Sequence, residues 1–546
     1  MSKNRIIAVV VLGLLVVGAQ VPAARADFTF GPRVNLDLGP PVNSPQNEGN
    51  PVISRNGLEL YFYSTRPGGY GGDDVWVCKR ASVEDPWGLP VNLGPGINSA
   101  GLEVPESISS DGLTLHITVG TSAPDADMYT ATRPALDAPW GPRISMGPVL
   151  NSASDLGGIS SPDDLELYFP SNRAGGMGAY DIYVSTRATR NDPWGPPANL
   201  GLTINTPSND SPASMSPDGK ILFIVTNRPG GFGSSDTWMA RRPFKGAAWS
   251  EPVNLGPSFN TPNNEDLSWV SADGRWAYAF DGAVAGPGNM WMAPIIPIVD
   301  FNGDGKVDGK EVLALAQHWG QSQRLLDIGL SPMGDGIVDV NDLTALAGYI
   351  GQDVNDPTLI AHWALDEAEG TTAADSVGNN NLAVVGNAAW QPAGGKIGGA
   401  LAFDGKDDSA SSGSVVLDPA QGPFSVIAWV KGGAPNKVIV SQAAGADWLY
   451  LNQYGMLTTD LKASGREGRS LTSDAYVLDD QWHRVALVWD GTNRALQMDG
   501  VEVGEDTQAG LAARSGNLLI GAGNDSSTFW TGLIDDVRIY NRAVQP

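Results

Sequence analysis

The chain has 546 residues, 42% of them apolar and 17% charged, with a formal net charge of −26. Such acidity excludes nucleic acid and anionic lipid surfaces as partners, since both would repel it. Cys78 stands alone, so no disulfide can form within the chain, and the length suits about three or four domains.

The first 26 residues read as a secretory signal. Lys3 and Arg5 precede an apolar run from Ile6 to Val17, and Ala24-Arg25-Ala26 is a small-x-small processing site. Cleavage is expected at Ala26/Asp27. The run is too short for a membrane span. The expected product is secreted, extracellular or on the cell surface, without membrane insertion.

Residues 27–296 repeat five times, with a period of about 54 residues. The clearest copies are Ser-Thr-Arg-Pro-Gly-Gly-Tyr-Gly-Gly-Asp-Asp-Val-Trp-Val at 64–77, Ser-Asn-Arg-Ala-Gly-Gly-Met-Gly-Ala-Tyr-Asp-Ile-Tyr-Val at 171–184 and Thr-Asn-Arg-Pro-Gly-Gly-Phe-Gly-Ser-Ser-Asp-Thr-Trp-Met at 226–239. Asp74, Asp127, Asp181, Asp236 and Asn289 are equivalent. Each unit reads as four short strands, the last being Pro-Val-Asn-Leu, as at 90–93 and 252–255. The fifth unit lacks that strand, and Gly31-Pro-Arg-Val-Asn-Leu36 can supply it. The pattern predicts a closed five-bladed β-propeller. The units resemble TolB-type, WD-like propeller repeats, best at Ser216-Pro-Asp-Gly219 and 171–184. That resemblance implies the fold and leaves the role open.

One acid stands near each blade entry: Glu48, Glu103, Asp155, Asp210 and Glu265. Entry strands line a propeller's channel, so these five are candidate channel acids. They could bind a cation or a sugar. Two of them held ~6.5–9.5 Å apart could serve as acid and base of an inverting hydrolase. A group present in every blade is more simply structural, and no catalytic residue is assigned. Arg66, Arg173 and Arg228 read as braces within blades. The histidines His116, His318, His362 and His483 are scattered and form no metal or triad pattern.

Residues 297–354 predict a small α module. The run 300–311 reads Asp-Phe-Asn-Gly-Asp-Gly-Lys-Val-Asp-Gly-Lys-Glu. Asp300, Asn302, Asp304, the Lys306 carbonyl, Asp308 and Glu311 fall at the ligand positions of an EF-hand loop, and Gly305 falls at its sharp turn. Ca²⁺ is therefore the expected cofactor. A helix is predicted over 311–319. A second copy at 331–342 offers Asp335, the Ile337 carbonyl, Asp339 and Asp342. Its third position is Met333, a poor ligand, so weak or vestigial binding is expected, with Asp327 a substitute ligand. The loop pair resembles a dockerin, which implies a cohesin-like partner. Its recognition positions hold Gly309-Lys310 and Val340-Asn341 rather than Ser-Thr type pairs, and a structural calcium spacer fits equally.

Residues 355–546 predict a two-sheet jelly roll. Alternating strands include 359–365, 399–403, 424–430, 482–489, 495–498 and 532–540. His-Trp-Ala-Leu-Asp-Glu, Leu-Ala-Phe-Asp-Gly, Phe-Ser-Val-Ile-Ala-Trp-Val, Trp-His-Arg-Val-Ala and Gly-Leu-Ile-Asp-Asp-Val-Arg-Ile-Tyr resemble the laminin-G-like, concanavalin A-like domain. The resemblance implies binding of glycans or proteins, with a bound Ca²⁺ at Asp375 and Asp535 or Asp536. No Glu-x-Asp-x-Glu strand of the glucanase type is present. Trp448, Tyr450 and Tyr454 are candidates for stacking on sugars.

The fold class expected is mainly β: propeller, EF-hand or dockerin-like α module, jelly roll. The expected function is capture of polysaccharide or surface glycoconjugate. A polysaccharide-degrading hydrolase with a propeller catalytic domain, and a structural envelope protein, are the alternatives.

Overall fold

The computed structural model describes residues 28–36, 42–120, 126–256, 258–282, 288–323, 326–351, 356, 358–463, 469–508 and 510–544. The signal segment expected at 1–26 and its cleavage point lie outside the described residues.

Five four-stranded antiparallel blades form a ring. Blade 1 holds Glu48–Ile53, Glu59–Ser64, Asp74–Lys79 and Val91–Asn92. Blade 2 runs from Leu102–Ile108 to Ile144–Ser145, blade 3 from Ile159–Ser160 to Ala198–Asn199, and blade 4 from Asp210–Met215 to Val253–Asn254. Blade 5 holds Asn264–Val270, Trp276–Gly282 and Asn289–Pro297. Its outer strand is Val34–Asn35, paired with Trp291 and Met292. The N-terminal segment thus closes the ring, as the sequence pattern requires. Phe28–Phe30 adds a further pairing with Ile295–Pro297 and places two phenylalanines in the core between blades 4 and 5.

The repeated Asn-Ser and Asn-Thr pairs explain how blades join. Each Asn side chain accepts from one backbone N–H, and donates to the C=O of the same residue, in the third strand of the preceding blade. Asn98 does so on Val75, Asn151 on Met128, Asn205 on Ile182 and Asn260 on Thr237. Asn43 grips Met290 at 2.9 Å in both directions, across the closure. A carboxamide is the one side chain that can copy both halves of a peptide group.

After the ring come two loop–helix units, α1 (Gly309–Gln317) and α2 (Val340–Ala347), around a small core of Val299, Phe301, Val307, Leu315, Leu326, Ile328, Val338 and Leu346. Helix α1 starts two residues earlier than the predicted 311, because Asp308 caps it, and Asp339 caps α2 in the same way. Trp319 and Ile350, just beyond the two helices, are half exposed.

The C-terminal part is a sandwich of two eight-stranded antiparallel sheets. All six strands expected from the sequence belong to one sheet, which centres on Thr531–Tyr540 and Phe424–Gly432. The facing sheet is built from shorter strands such as Val438–Gln442 and Asp447–Leu451. Trp363, Trp448, Trp530 and Phe424 fill the space between them. No helix among the described residues is long and apolar enough to cross a membrane.

Candidate functional sites

The five blade-entry acids do not line the channel. They are at most 1% exposed. Each folds back on the turn before its strand and meets an arginine. Glu48 accepts from the Ser44 N–H and Oγ, from Ser64 Oγ and from Arg66. Asp210 accepts from the Thr206 N–H and Oγ1, Thr226 Oγ1 and Arg228 at 2.7–2.9 Å. Asp155 takes the Ser152 and Ala153 N–H groups and Arg173. Glu103 uses Ser99 and Arg143, and Glu265 uses Thr261 and Arg33. The expectation of channel acids is corrected on this geometry: every carboxylate is spent on its own blade, and none is free for a ligand.

Other acids do face inward, and they break the repeat. Glu106 accepts from Thr118 Oγ1 at 2.5 Å and from Asn50 Nδ2 at 3.0 Å. Asp266 accepts from Ser268 Oγ at 3.3 Å. Burial pushes both carboxyls up to about 7, and the charge of Asp266 adds to the effect on Glu106. The equivalents of Glu106 are Pro51, Gly158, Ala213 and Ser268, so no second blade repeats it. The repeat pattern does not reveal either acid, because it shows only positions shared by all blades. Divergence between blades was the available signal.

Loop 300–311 fits a cation. Asp300 accepts from the N–H groups of Gly303, Asp304 and Gly305, and Asn302 from Asp304. Gly303 and Gly305 take positive φ, 71° and 82°, to make the turn. Glu311 Oε2 accepts from the Asp308 N–H at 2.8 Å, closing the capping box. Its Oε1 is buried without a partner. Burial, then repulsion from Asp304 and Asp300, lifts the Glu311 carboxyl to about 7. An orphaned buried carboxylate oxygen amid Asp300, Asn302 and Asp304 is the donor chemistry of a hard divalent ion. Asp308 and the Lys306 carbonyl would complete the set, and the ion would supply the missing positive charge.

Loop 331–342 does not fit. Both oxygens of Asp342 are taken, Oδ1 by the Ile328 and Gly329 N–H groups and Oδ2 by Asp339. Asp327 does bend in, accepting from Asp335 and Gly336. Met333 points away, 6% exposed, into the core shared by blades 4 and 5. Lys220 Nζ of blade 4 donates to the Asp335 carbonyl at 2.9 Å. The second loop, with Asp335, Ile337, Asp339 and Asp342, is therefore a dock on the propeller, which explains its lost ligand.

The first loop docks on the sandwich. Arg484 donates to the Asn302 carbonyl, Tyr540 to that of Gly303 and Arg542 to that of Asp300. The module thus touches one β-domain with each loop.

In the sandwich, Asp375 caps a turn, accepting from His362, Val377 and Asn380, and stays well ionised. Asp536 pairs with His362 and Arg538. Neither has the spare oxygens of a metal ligand. Asp535 differs. Its Oδ2 accepts from Lys396 and Ile397, Oδ1 is buried without a partner, and burial raises it to about 6. Of the three, Asp535 alone keeps a spare buried oxygen. Trp448 is 0% exposed and packs against Phe424 at 5.5 Å, so it cannot stack on a sugar. Tyr450 is half-buried, its hydroxyl on Asp460. Tyr454 is 65% exposed at the 452–455 turn, and Tyr476, 54% exposed, lies beside it across the pair Met456–Tyr476. Sequence reading missed Tyr476, which stands in a strand without an aromatic motif.

Fold and sites together define a modular β protein: a five-bladed propeller and a concanavalin A-like sandwich joined by a loop–helix module. A model of the concanavalin A-like lectin/glucanases superfamily matches residues 404–546. No curated protein matches the chain. Among solved structures, it is similar to domain 4 of AbnA, a GH43 extracellular arabinanase from Geobacillus stearothermophilus, in complex with arabinotriose. That likeness has 22% identity, 34% of this chain, 94% of the other and a TM-score of 0.28. Trypanosoma rangeli sialidase is similar at 13% identity over 93% of this chain and 83% of the other, TM-score 0.33. The binding domain of Paraclostridial Mosquitocidal Protein 1 is similar at 14% identity over 34% and 49%, TM-score 0.29.

Proposed function

We propose that this is a secreted, calcium-binding modular protein that captures polysaccharide or surface glycoconjugate through its C-terminal sandwich. The observation that carries this reading is the match of residues 404–546 to the lectin/glucanase superfamily. Tyr454 and Tyr476 supply two exposed rings at one turn, the kind of platform that stacks on a sugar face. Ca²⁺ at Asp300–Glu311 stiffens the joint rather than touching the glycan. That loop's carbonyls are engaged by the sandwich, which supports a joint over a cohesin-like partner. Calorimetry against a glycan panel, with and without Ca²⁺, tests the reading. A Tyr454→Ala variant should lose capture while keeping its fold, and unchanged capture would overturn the site.

Glu106 and Asp266 favour a second reading, a glycoside hydrolase with its acids in the propeller channel. Both carboxyls are raised to about 7 in unequal surroundings, which poises either one for proton transfer near neutral pH. Reducing sugar released from polysaccharide, and lost in Glu106→Gln, would establish it. No release from any polymer of the panel would remove it.

A further inference from the structure

A cavity of about 70 Å³ opens at the channel end where the inner strands turn back, and all five blades line it. The turn serines Ser54, Ser109, Ser161, Ser216 and Ser271 repeat in every blade. Each bonds its own turn, as Ser109 does to Asp111 and Ser161 to Asp163. The cavity-facing positions do not repeat. Two residues before the serine, Ile159, Ser214 and Trp269 line the cavity, while Val52 and Ser107 are buried behind it; one residue after it stand Arg55, Ser110, Pro162, Pro217 and Ala272. One blade alone supplies an aromatic ring and one alone a cation. A role confined to holding the ring would ask the same of each blade.

Asp164 is a further departure. The equivalent turn residues are Gly57, Gly112, Gly219 and Gly274, all at positive φ. Asp164 adopts φ 60° without being glycine, a conformation that Asp tolerates better than most side chains. Its carboxylate is 2% exposed and held by Ser110 Oγ, Ser160 Oγ and Arg190. Arg55 is exposed at the rim and makes no ion pair among the described residues. In a chain of net charge −26, a free guanidinium beside a cavity selects for an anion.

We propose that the open mouth of this cavity is a second carbohydrate site, which admits the carboxylate-bearing edge of an acidic sugar of the hexuronate class while the rest of the ring stays at the rim. Trp269 offers the apolar face for the ring C–H groups. The Ser110 and Ser160 oxygens, whose protons go to the buried Asp164 carboxylate, accept from sugar hydroxyls. Arg55 pairs with the sugar carboxylate, for which a planar guanidinium fork is suited. The inference rests on the carbohydrate reading for its ligand class only.

The test uses the full mature chain. Methyl glucuronide and methyl galacturonide are compared with methyl glucoside and methyl galactoside by calorimetry and saturation-transfer NMR. A uronide should bind about ten-fold or more tightly than its neutral twin, the worth of one charge-assisted bond, and less tightly in added salt. Arg55→Ala should erase that preference at unchanged Tm. Trp269→Phe should keep binding, and Trp269→Ala should lose it. Equal binding of acidic and neutral sugars, or an undiminished preference in Arg55→Ala, would overturn the site. Polymer capture is measured beside it on the same samples. Capture without uronide binding sinks this site alone, whereas no binding of any sugar sinks the carbohydrate reading as well.

Discussion

The guanidinium of Arg542 donates to the main-chain carbonyl of Asp300 at 2.5 Å and to the carboxylate of Asp356 at 2.9 Å. The segment after the sandwich's last strand thus holds the first residue of loop 300–311. Arg542 and Asp356 are each 5% exposed at the side chain. Removing one partner of such a pair leaves the other charge buried alone, which costs about 3–5 kcal/mol. Arg542→Ala should therefore lower the urea midpoint of the sandwich transition and weaken Ca²⁺ binding to loop 300–311, both readable in one titration series. An unchanged midpoint would show that the contact is not made in solution.

Calcium removal should act on the middle of the chain. Glu311 Oε1 has no protein partner to turn to, and Asp300, Asp304 and Glu311 repel one another when the ion leaves. Chelation should speed protease cleavage between 300 and 350 and leave cleavage within the blades unchanged. Equal rates with and without chelator would contradict the joint.

The second loop gives a sharper test, because its lost ligand is explained by packing. Met333→Leu keeps an apolar side chain in the core between blades 4 and 5, and should stay within about 1.5 kcal/mol of wild type. Met333→Asp puts an oxygen at the third loop position but buries a charge in the core shared by blades 4 and 5. It should lose several kcal/mol and gain no second Ca²⁺ in calorimetry. A stable variant that binds two ions would refute the dock.

How much of this was legible beforehand depends on what each residue touches. The ring was legible, because Asn43, Asn98, Asn151, Asn205 and Asn260 perform one task five times. The oxygen-rich turn at 300–311 was legible because its polar residues lie close together in sequence. Met333 was not: its partners lie in the propeller, far off in the chain. Nor was the burial of Trp448, since the sequence does not say which face of the strand Asp447–Leu451 meets the other sheet. The blade-entry acids were misplaced for the opposite reason. Their partners are local, four residues back in Ser44–Glu48 and Thr206–Asp210, and strand alternation alone does not reveal such a turn.

Those acids predict equal effects around the ring. Asp155→Asn and Asp210→Asn keep side-chain volume but remove the charge that meets Arg173 and Arg228. Each should lower propeller stability by about 1–3 kcal/mol, and the two should match within error in thermal unfolding. A variant that left Tm alone but abolished a measured activity would restore a chemical role to that blade.

The channel predicts opposing pH dependences. His116 is buried beside Ser107, and burial lowers its pKa from 6.5 to about 4. Between those values the unfolded chain takes up a proton that the folded one refuses, so stability falls as pH drops from about 6.5 towards 4. Glu106 and Asp266 act in the other direction. Folding raises them from 4.5 and 3.8 to about 7. The folded chain then holds protons that the unfolded one releases, and stability falls as pH rises through about 4 to 7. Glu106→Gln keeps the shape and removes one titration. In urea unfolding at pH 5, 6.5 and 8, its stability relative to wild type should improve steadily with pH. His116→Gln should instead gain relative to wild type as pH falls from 6.5 to 5. If Glu106→Gln tracks wild type in parallel at all three values, the Glu106 carboxyl is solvated in the channel and is not poised near neutrality.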